Sequence, residues 1–257
     1  MERRVLKNKP LVEAIFELRW ALQESAEELK IDPYYKILIG RIYERVKDEY
    51  PFHEQLPTAT MPDEISAYII QHRFRKAAHD WPLIQIGPGI ITLNDTERYV
   101  WEDFEKRAKD LIRVLFDTYR PESNPLRING LLLRYIDAID FDYEEENVLD
   151  FLKENLKVEI EIYKELFSNT EVSPLPLAFD LRFSFPSSMP PGAVHLRFAR
   201  GKRKHQDALI WETQVQSTDQ AIPAEIEEIQ KWLEDAHRLT DDWFFKMIEG
   251  ELLRRFE

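Results

Sequence analysis

Cysteine is absent from all 257 residues of the chain. This excludes disulfides, thiolate zinc sites, iron–sulfur clusters and a cysteine nucleophile together. Glycine is scarce, with seven residues in all, and no Gly-x-Gly-x-x-Gly, Gly-Lys-Ser/Thr or Gly-x-Ser-x-Gly is present. The loops that cradle nucleotide phosphates and the strained nucleophile elbow are therefore missing, and Gly87-Pro88-Gly89 reads as a turn. The six histidines include no His-Glu-x-x-His, and His72 and His79 lack metal-ligand spacing, so no metal and no cofactor is expected. No stretch approaches the roughly 18 apolar residues of a membrane span, and the segment from Met1 to Pro10 lacks the apolar core of a secretory leader. The expectation is a cytoplasmic protein that does not engage membranes. Positive charge is also in deficit: 35 Lys and Arg against 48 Asp and Glu leave a formal charge of −13. Such a field repels phosphate polymers and makes nucleic acid an unfavoured partner.

What is present is enough to fold, since 44% of residues are hydrophobic and 32% charged. From Leu11 to Trp20, Val12, Ala14, Phe16, Leu18 and Trp20 alternate with Glu13, Glu17 and Arg19, the period of a strand with one wet face, with Ile15 interrupting the polar side. Asp32-Pro33 opens a helix whose apolar stripe runs from Tyr34 to Val46. Strands are predicted at Ile65–Arg75, Leu83–Ile86 and Ile90–Leu93, then a helix from Val100 to Tyr119. The order then recurs: a long strand at Arg127–Phe141, a helix from Val148 that continues, broken or not, towards Phe167, strands at Leu177–Phe185, Ala193–Arg200 and Ala208–Gln216, and a last helix over Ile222–Leu253. The predicted class is thus α+β, a duplicated β-α-β-β-β-α unit occupying 1–122 and 123–257. Such repeats pair about a pseudo-twofold axis to give antiparallel sheet with helices packed on one face. The long C-terminal helix offers an apolar stripe for a homodimer.

The alternation in the second half marks candidate site residues. With Leu181, Phe183, Val194, Leu196, Trp211 and Val215 pointing inward, Asp180, Arg182, His195, Arg197, Glu212 and Gln214 share the open face. Two arginines and a histidine among carboxylates suit an anionic ligand, because guanidinium forks match carboxylate and phosphate geometry. The same pattern also serves plain cross-strand ion pairing. Arg134 and Asp137 interrupt the apolar run Leu131–Ile139 and, three apart on a strand, face opposite ways. Arg134 needs a carboxylate, and Glu13 or Glu17 on the first strand are the expected structural partners. The acidic tract from Asp140 to Glu146 reads as a solvated strand end, and the basic run Arg200–His205 as a hairpin tip.

Pro10-Leu11-Val12-Glu13-Ala14-Ile15-Phe16-Glu17-Leu18-Arg19-Trp20, Gln85-Ile86-Gly87-Pro88 with Asn94, Tyr99, Trp101 and Phe104, the segment Gly130–Ile139, and His237 followed by Phe244 together resemble a sporadically distributed family of uncharacterised prokaryotic proteins about 250 residues long. The resemblance spans nearly the whole chain and implies a prokaryotic origin. Asp137 stands where that family is expected to carry asparagine, and the resemblance brings no catalytic residues with it.

These readings lead to a non-enzymatic protein that binds a small anionic ligand or a partner protein on the open sheet face. An enzyme acting on a small, nucleotide-like anion, with His195 and Asp180 or Glu212 as acid and base, is the alternative. Nucleic-acid binding through residues 200–205 is the third reading, and it predicts affinity that falls steeply with salt.

Overall fold

The alternation of the first strand, β1 (Leu11–Trp20), is satisfied by burying Ala14, Phe16, Leu18 and Trp20 completely and leaving Glu13, Glu17 and Arg19 half-buried on the other side. The computed structural model describes residues 6–24, 29–96, 98–119 and 125–257. A two-stranded ribbon, β2 (Gln23–Glu24) and β3 (Lys30–Ile31), precedes helix α1 (Tyr35–Val46). Then come β4 (Phe52–Gln55), β5 (His72–Arg75), β6 (Leu83–Gly87), β7 (Ile90–Asp95) and α2 (Trp101–Thr118). The remainder comprises β8 (Ile128–Asp140), α3 (Val148–Leu156), β9 (Asp180–Ser188), β10 (Pro191–Arg203), β11 (Gln206–Thr218), α4 (Ile226–Met247) and α5 (Glu251–Phe256).

Among the described residues nine strands form one sheet in the order β4-β5-β6-β7-β1-β8-β11-β10-β9, and every neighbouring pair is antiparallel. The fold is therefore α+β with a large antiparallel sheet. Outward from the central β1–β8 pair the order runs β7, β6, β5, β4 on one side and β11, β10, β9 on the other. The first half carries four strands between its helices instead of the expected three, because Phe52–Gln55 adds a short edge strand that shows no apolar alternation.

The registers assign both faces. Ile15 lies between Asn94 and Arg134, Arg134 opposes Gln214, Gln214 opposes His195, and His195 opposes Ser184. On the opposite face, Phe16, Leu93, Leu133, Val215 and Val194 join the buried side chains of α1, α2 and α4 in one core. Ile139, Leu209, Trp211 and Phe198 join those of α3, α5 and the end of α4 in a second. The face bearing Ile15 and Arg134 contributes to neither cluster except at the two β1–β8 irregularities, where Leu11 and Ile128 reach the first.

Three predicted elements are shorter than their patterns suggest. The strand expected over Ile65–Arg75 is regular only from His72, since Pro57 and Pro62 open 3-10 turns and Tyr68 takes φ 60°. The helix from Val148 stops at Leu156, where Lys157 adopts a left-handed conformation at φ 58°. The last helix breaks at Gly250, φ 113°, a backbone conformation that glycine tolerates freely. Its main part, α4, is 22 residues long, about 33 Å at 1.5 Å per residue. Ile229, Trp232, Leu233 and Ala236 of α4 are buried in the first core, so the stripe that the sequence offers to a dimer partner is spent within the chain. No helix among the described residues is long and apolar enough to cross a membrane.

Candidate functional site

β9, β10, β11 and β8 carry the predicted site residues side by side. Arg197 on β10 opposes Arg182 on β9 and Glu212 on β11, a register that sets two cations next to each other and requires an anion between them. Asp180 supplies it. Its Oδ1 and Oδ2 accept from Arg182 Nε and Nη2, both at 3.0 Å, and from Arg197 Nε and Nη2 at 2.9 and 3.0 Å. Hydrogen bonding to Arg182, then to Arg197, holds the Asp180 carboxyl well below the usual carboxylate range. Arg197 reaches the other way as well, donating from Nη1 to Glu212 Oε1 at 2.6 Å. His195 Nδ1 and Ser184 Oγ are 2.7 Å apart, and Gln214 Nε2 donates to Gln216 Oε1 at 3.0 Å. The structure thus joins Asp180, Arg182, Arg197 and Glu212 in one network, with His195 and Gln214 on the same face beside it.

Arg134 extends this stripe, but not through the partner expected of it. Its Nη1 lies 3.7 Å from Glu212 Oε2, whereas Glu13 accepts from Asn94 Nδ2 at 2.7 Å and Glu17 pairs with Arg19 at 2.7 Å. Both carboxylates on β1 are diagonal to Arg134 in the register, as Glu212 is on the other side. Their capture by nearer donors decides the choice. Among the described residues, Arg134 Nε is buried with no hydrogen-bond partner. Arg19 Nε is likewise without a hydrogen bond, so its 2.7 Å approach to Glu17 is an ion pair whose N–H is badly aimed.

The rest of this face is polar too. Arg73 Nε donates to Gln85 Oε1 at 2.8 Å, Gln85 Nε2 donates to Asn94 Oδ1 at 3.1 Å, and Thr92 Oγ1 donates to the same oxygen at 2.5 Å. Two shallow, adjoining hollows lie at the end of the face, away from Arg197. One of about 230 Å³ is lined by Glu17, Arg19, Leu132 and Gln216, and one of about 430 Å³ by Leu22, Lys30 and Arg127, with Tyr68, Asn129 and Asp219 shared. The concavity and the arginine stripe therefore meet only near Gln216, and chemistry, not depth, marks the candidate site.

The basic hairpin tip is partly committed to structure. Arg200 donates to Leu177 O, pairs with Asp207 at 2.5 Å and stacks over Tyr143 at 4.2 Å, and Arg203 donates to Ala138 O. Among the described residues no three His, Asp or Glu side chains cluster as a metal ion would need.

A polar group on the covered face escaped the pattern reading. Tyr99 and Tyr135 hydroxyls are 2.8 Å apart, Tyr135 Oη is 2.9 Å from His237 Nδ1, and Trp101 stacks on His237 at 3.6 Å between centroids. Tyr99, Trp101 and His237 stood out in the sequence only through the family resemblance. Asp137, on the same face, opposes Leu11 and Trp211 and is 3% exposed. Burial pushes its carboxyl up to about 8. Trp211 Nε1 and Thr213 Oγ1 beside it are buried without hydrogen-bond partners among the described residues. His53 Nε2 and His72 Nδ1, 2.9 Å apart, form a second overlooked pair; burial and then His53 lower the His72 pKa.

A scan of the chain against protein-family models finds no match, and a search of the curated proteins finds none either.

Proposed function

We propose that this is a binding protein whose open sheet face receives a carboxylate- or phosphate-bearing group, carried by a small anion or by an acidic segment of a partner protein, with Arg134 and Arg197 as the principal contacts. The observation that carries this reading is the state of Arg134. Its guanidinium lies on the open face, and among the described residues its Nε has no hydrogen-bond partner and its nearest carboxylate, Glu212 at 3.7 Å, is already bonded by Arg197 at 2.6 Å. Buried donors left unsatisfied cost about 1–3 kcal/mol, and an anion that draws the partly exposed guanidinium outward would satisfy the Nε as well. Three guanidiniums, Arg134, Arg182 and Arg197, stand against two carboxylates, Asp180 and Glu212.

The state of Asp180 favours binding over acid–base catalysis. A carboxylate clamped by two guanidiniums stays ionised near neutral pH and has no proton to give. The nucleic-acid reading loses support because Arg200 and Arg203 are engaged within the chain. We also read the two halves as copies of one unit, β1 corresponding to β8, β7 to β11, β6 to β10 and β5 to β9. The equal strand order outward from the central pair supports this. A cytoplasmic, prokaryotic setting belongs to the same proposal.

Calorimetric titration with hexaglutamate and with inorganic pyrophosphate tests the site. Arg134→Ala combined with Arg197→Ala is expected to weaken whichever probe binds at least tenfold, about 1.4 kcal/mol. Equal affinity in the double variant, or no binding of either probe to the unaltered chain, overturns the assignment. Turnover of a nucleotide panel that disappears in His195→Ala would favour the enzyme instead.

A further inference from the structure

The two edges of the sheet differ. β4 is four residues long, with Pro51 and Pro57 on either side of it, the usual means of blunting an edge. β9 is nine residues long, its outer side bears no other strand among the described residues, and Asp180, Arg182 and Ser184 are exposed along it. Eight of the large hydrophobic side chains that remain exposed, Leu177 at 88% and Phe185 at 43% among them, fall between Ile162 and Met189. Long, apolar, unpaired edges attract a further strand.

The sequence of this edge says which strand. From Pro176 to Pro186 it reads Pro-Leu-Ala-Phe-Asp-Leu-Arg-Phe-Ser-Phe-Pro. Laid antiparallel on itself about Leu181, it is self-complementary at every position. Asp180 meets Arg182 of the second copy, Ala178 meets Ser184, Phe179 meets Phe183, Leu177 meets Phe185, and a proline closes each end. Opposite charges and matched apolar groups directly across an antiparallel pair are what stabilise such a pair.

The backbone agrees independently. In an antiparallel ladder each residue sends its N–H and C=O to the same side, and successive residues alternate. Arg200 N–H donates to Phe179 O, so Phe179, Leu181, Phe183 and Phe185 point their backbone groups at β10. Ala178, Asp180, Arg182 and Ser184 then point theirs outward. The register about Leu181 pairs these outward residues only with one another, giving about eight hydrogen bonds before the prolines, which lack the donor, end the ladder. A register shifted by one residue would set outward groups against inward ones.

The geometry points to a homodimer formed by antiparallel addition of β9 to β9 of a second copy, centred on Leu181, which joins the two sheets edge to edge. The inference does not rest on the ligand reading, although Asp180 and Arg182 take part in both.

The absence of cysteine makes the register measurable. Two Leu181 residues on the axis form a non-hydrogen-bonded pair, with Cα atoms about 4.5 Å apart, within disulfide range. Phe183 faces position 179 of the second copy, so its own twin lies about 13 Å away along the strand. Leu181→Cys treated with diamide is expected to give a covalent dimer on non-reducing electrophoresis, and Phe183→Cys to give none. Sedimentation of the unaltered chain is expected to show twice the 30.7 kDa chain mass. Ser184→Pro, which removes an outward N–H together with the exposed hydroxyl that meets His195 Nδ1, is expected to give the monomer with its thermal transition kept. A monomeric unaltered chain, a Phe183→Cys cross-link as strong as that of Leu181→Cys, or a folded Ser184→Pro variant that stays dimeric overturns the proposal. If Ser184→Pro does not fold, the pair of cysteine variants decides.

Discussion

Asp137→Asn isolates the energetic consequence of a carboxyl placed in the covered face. Asp137 is 3% exposed between Leu11 and Trp211, and burial alone raises its pKa from 3.8 to about 8. Above pH 3.8 the unfolded chain releases this proton while the native chain keeps it until about pH 8. The native state therefore binds more protons across that window, and stability falls as pH rises through it. Below the window the penalty is absent, and above it the penalty levels off. At about 1.36 kcal/mol for each unit of pH, the full span corresponds to roughly 6 kcal/mol, a ceiling that water entry would lower. Asparagine has the same shape and does not titrate. The stability of Asp137→Asn minus that of the unaltered chain is thus expected to grow by roughly 2–4 kcal/mol between about pH 5 and about pH 8, read from urea midpoints at constant m. Every other titrating group cancels in the difference. A difference that stays constant over this range refutes the burial argument.

Other substitutions probe separate features of the same frame. Thr213→Val removes a hydroxyl that is buried without a partner and is expected to raise the thermal midpoint, by up to about 1 kcal/mol of stability; a loss of stability would mean that the hydroxyl is satisfied in solution. Gly87→Ala places a methyl group 1.9 Å from the backbone oxygen of Ile69 and is expected to cost about 3 kcal/mol in denaturant unfolding; a neutral result would show that the 66–71 segment does not close on β6. His72 has its pKa lowered by burial and then by His53, so the stability it brings is present above pH 6.5 and lost as pH falls below. His72→Gln is expected to flatten that acid limb in thermal scans, and an unchanged slope counts against the buried pair.

Much of the sheet was legible because its strands are one-sided. Alternation in Leu11–Trp20 and in residues 193–216 identified which side chains share a face, and the registers place Asp180, Arg182, His195, Arg197, Glu212 and Gln214 together. Edge strand β4 was missed because Phe52-His53-Glu54-Gln55 buries little and so carries no period. Helix ends were misjudged where single backbone conformations decide them, at Lys157 and Gly250. Val158 and Ile160 kept the apolar pattern going beyond Leu156 because they pack against the second core from an irregular segment. Partner choice was beyond pattern reasoning: Arg134 has carboxylates diagonal to it on both neighbouring strands, and only the competing Asn94–Glu13 and Arg19–Glu17 contacts direct it to Glu212. The Tyr99–Tyr135–His237 chain joins residues up to 138 positions apart, from Tyr99 to His237, and needed the fold to assemble it.

The claim that the wet face of the sheet is the binding surface is tested most directly by following the side-chain N–H resonances of the arginines and glutamines while hexaglutamate is added. Shifts centred on Arg134, Arg197 and Gln214, with the indole signals of Trp101 and Trp232 on the helix side unmoved, are predicted. Shifts confined to the helix side, or to residues 200–205, would contradict it.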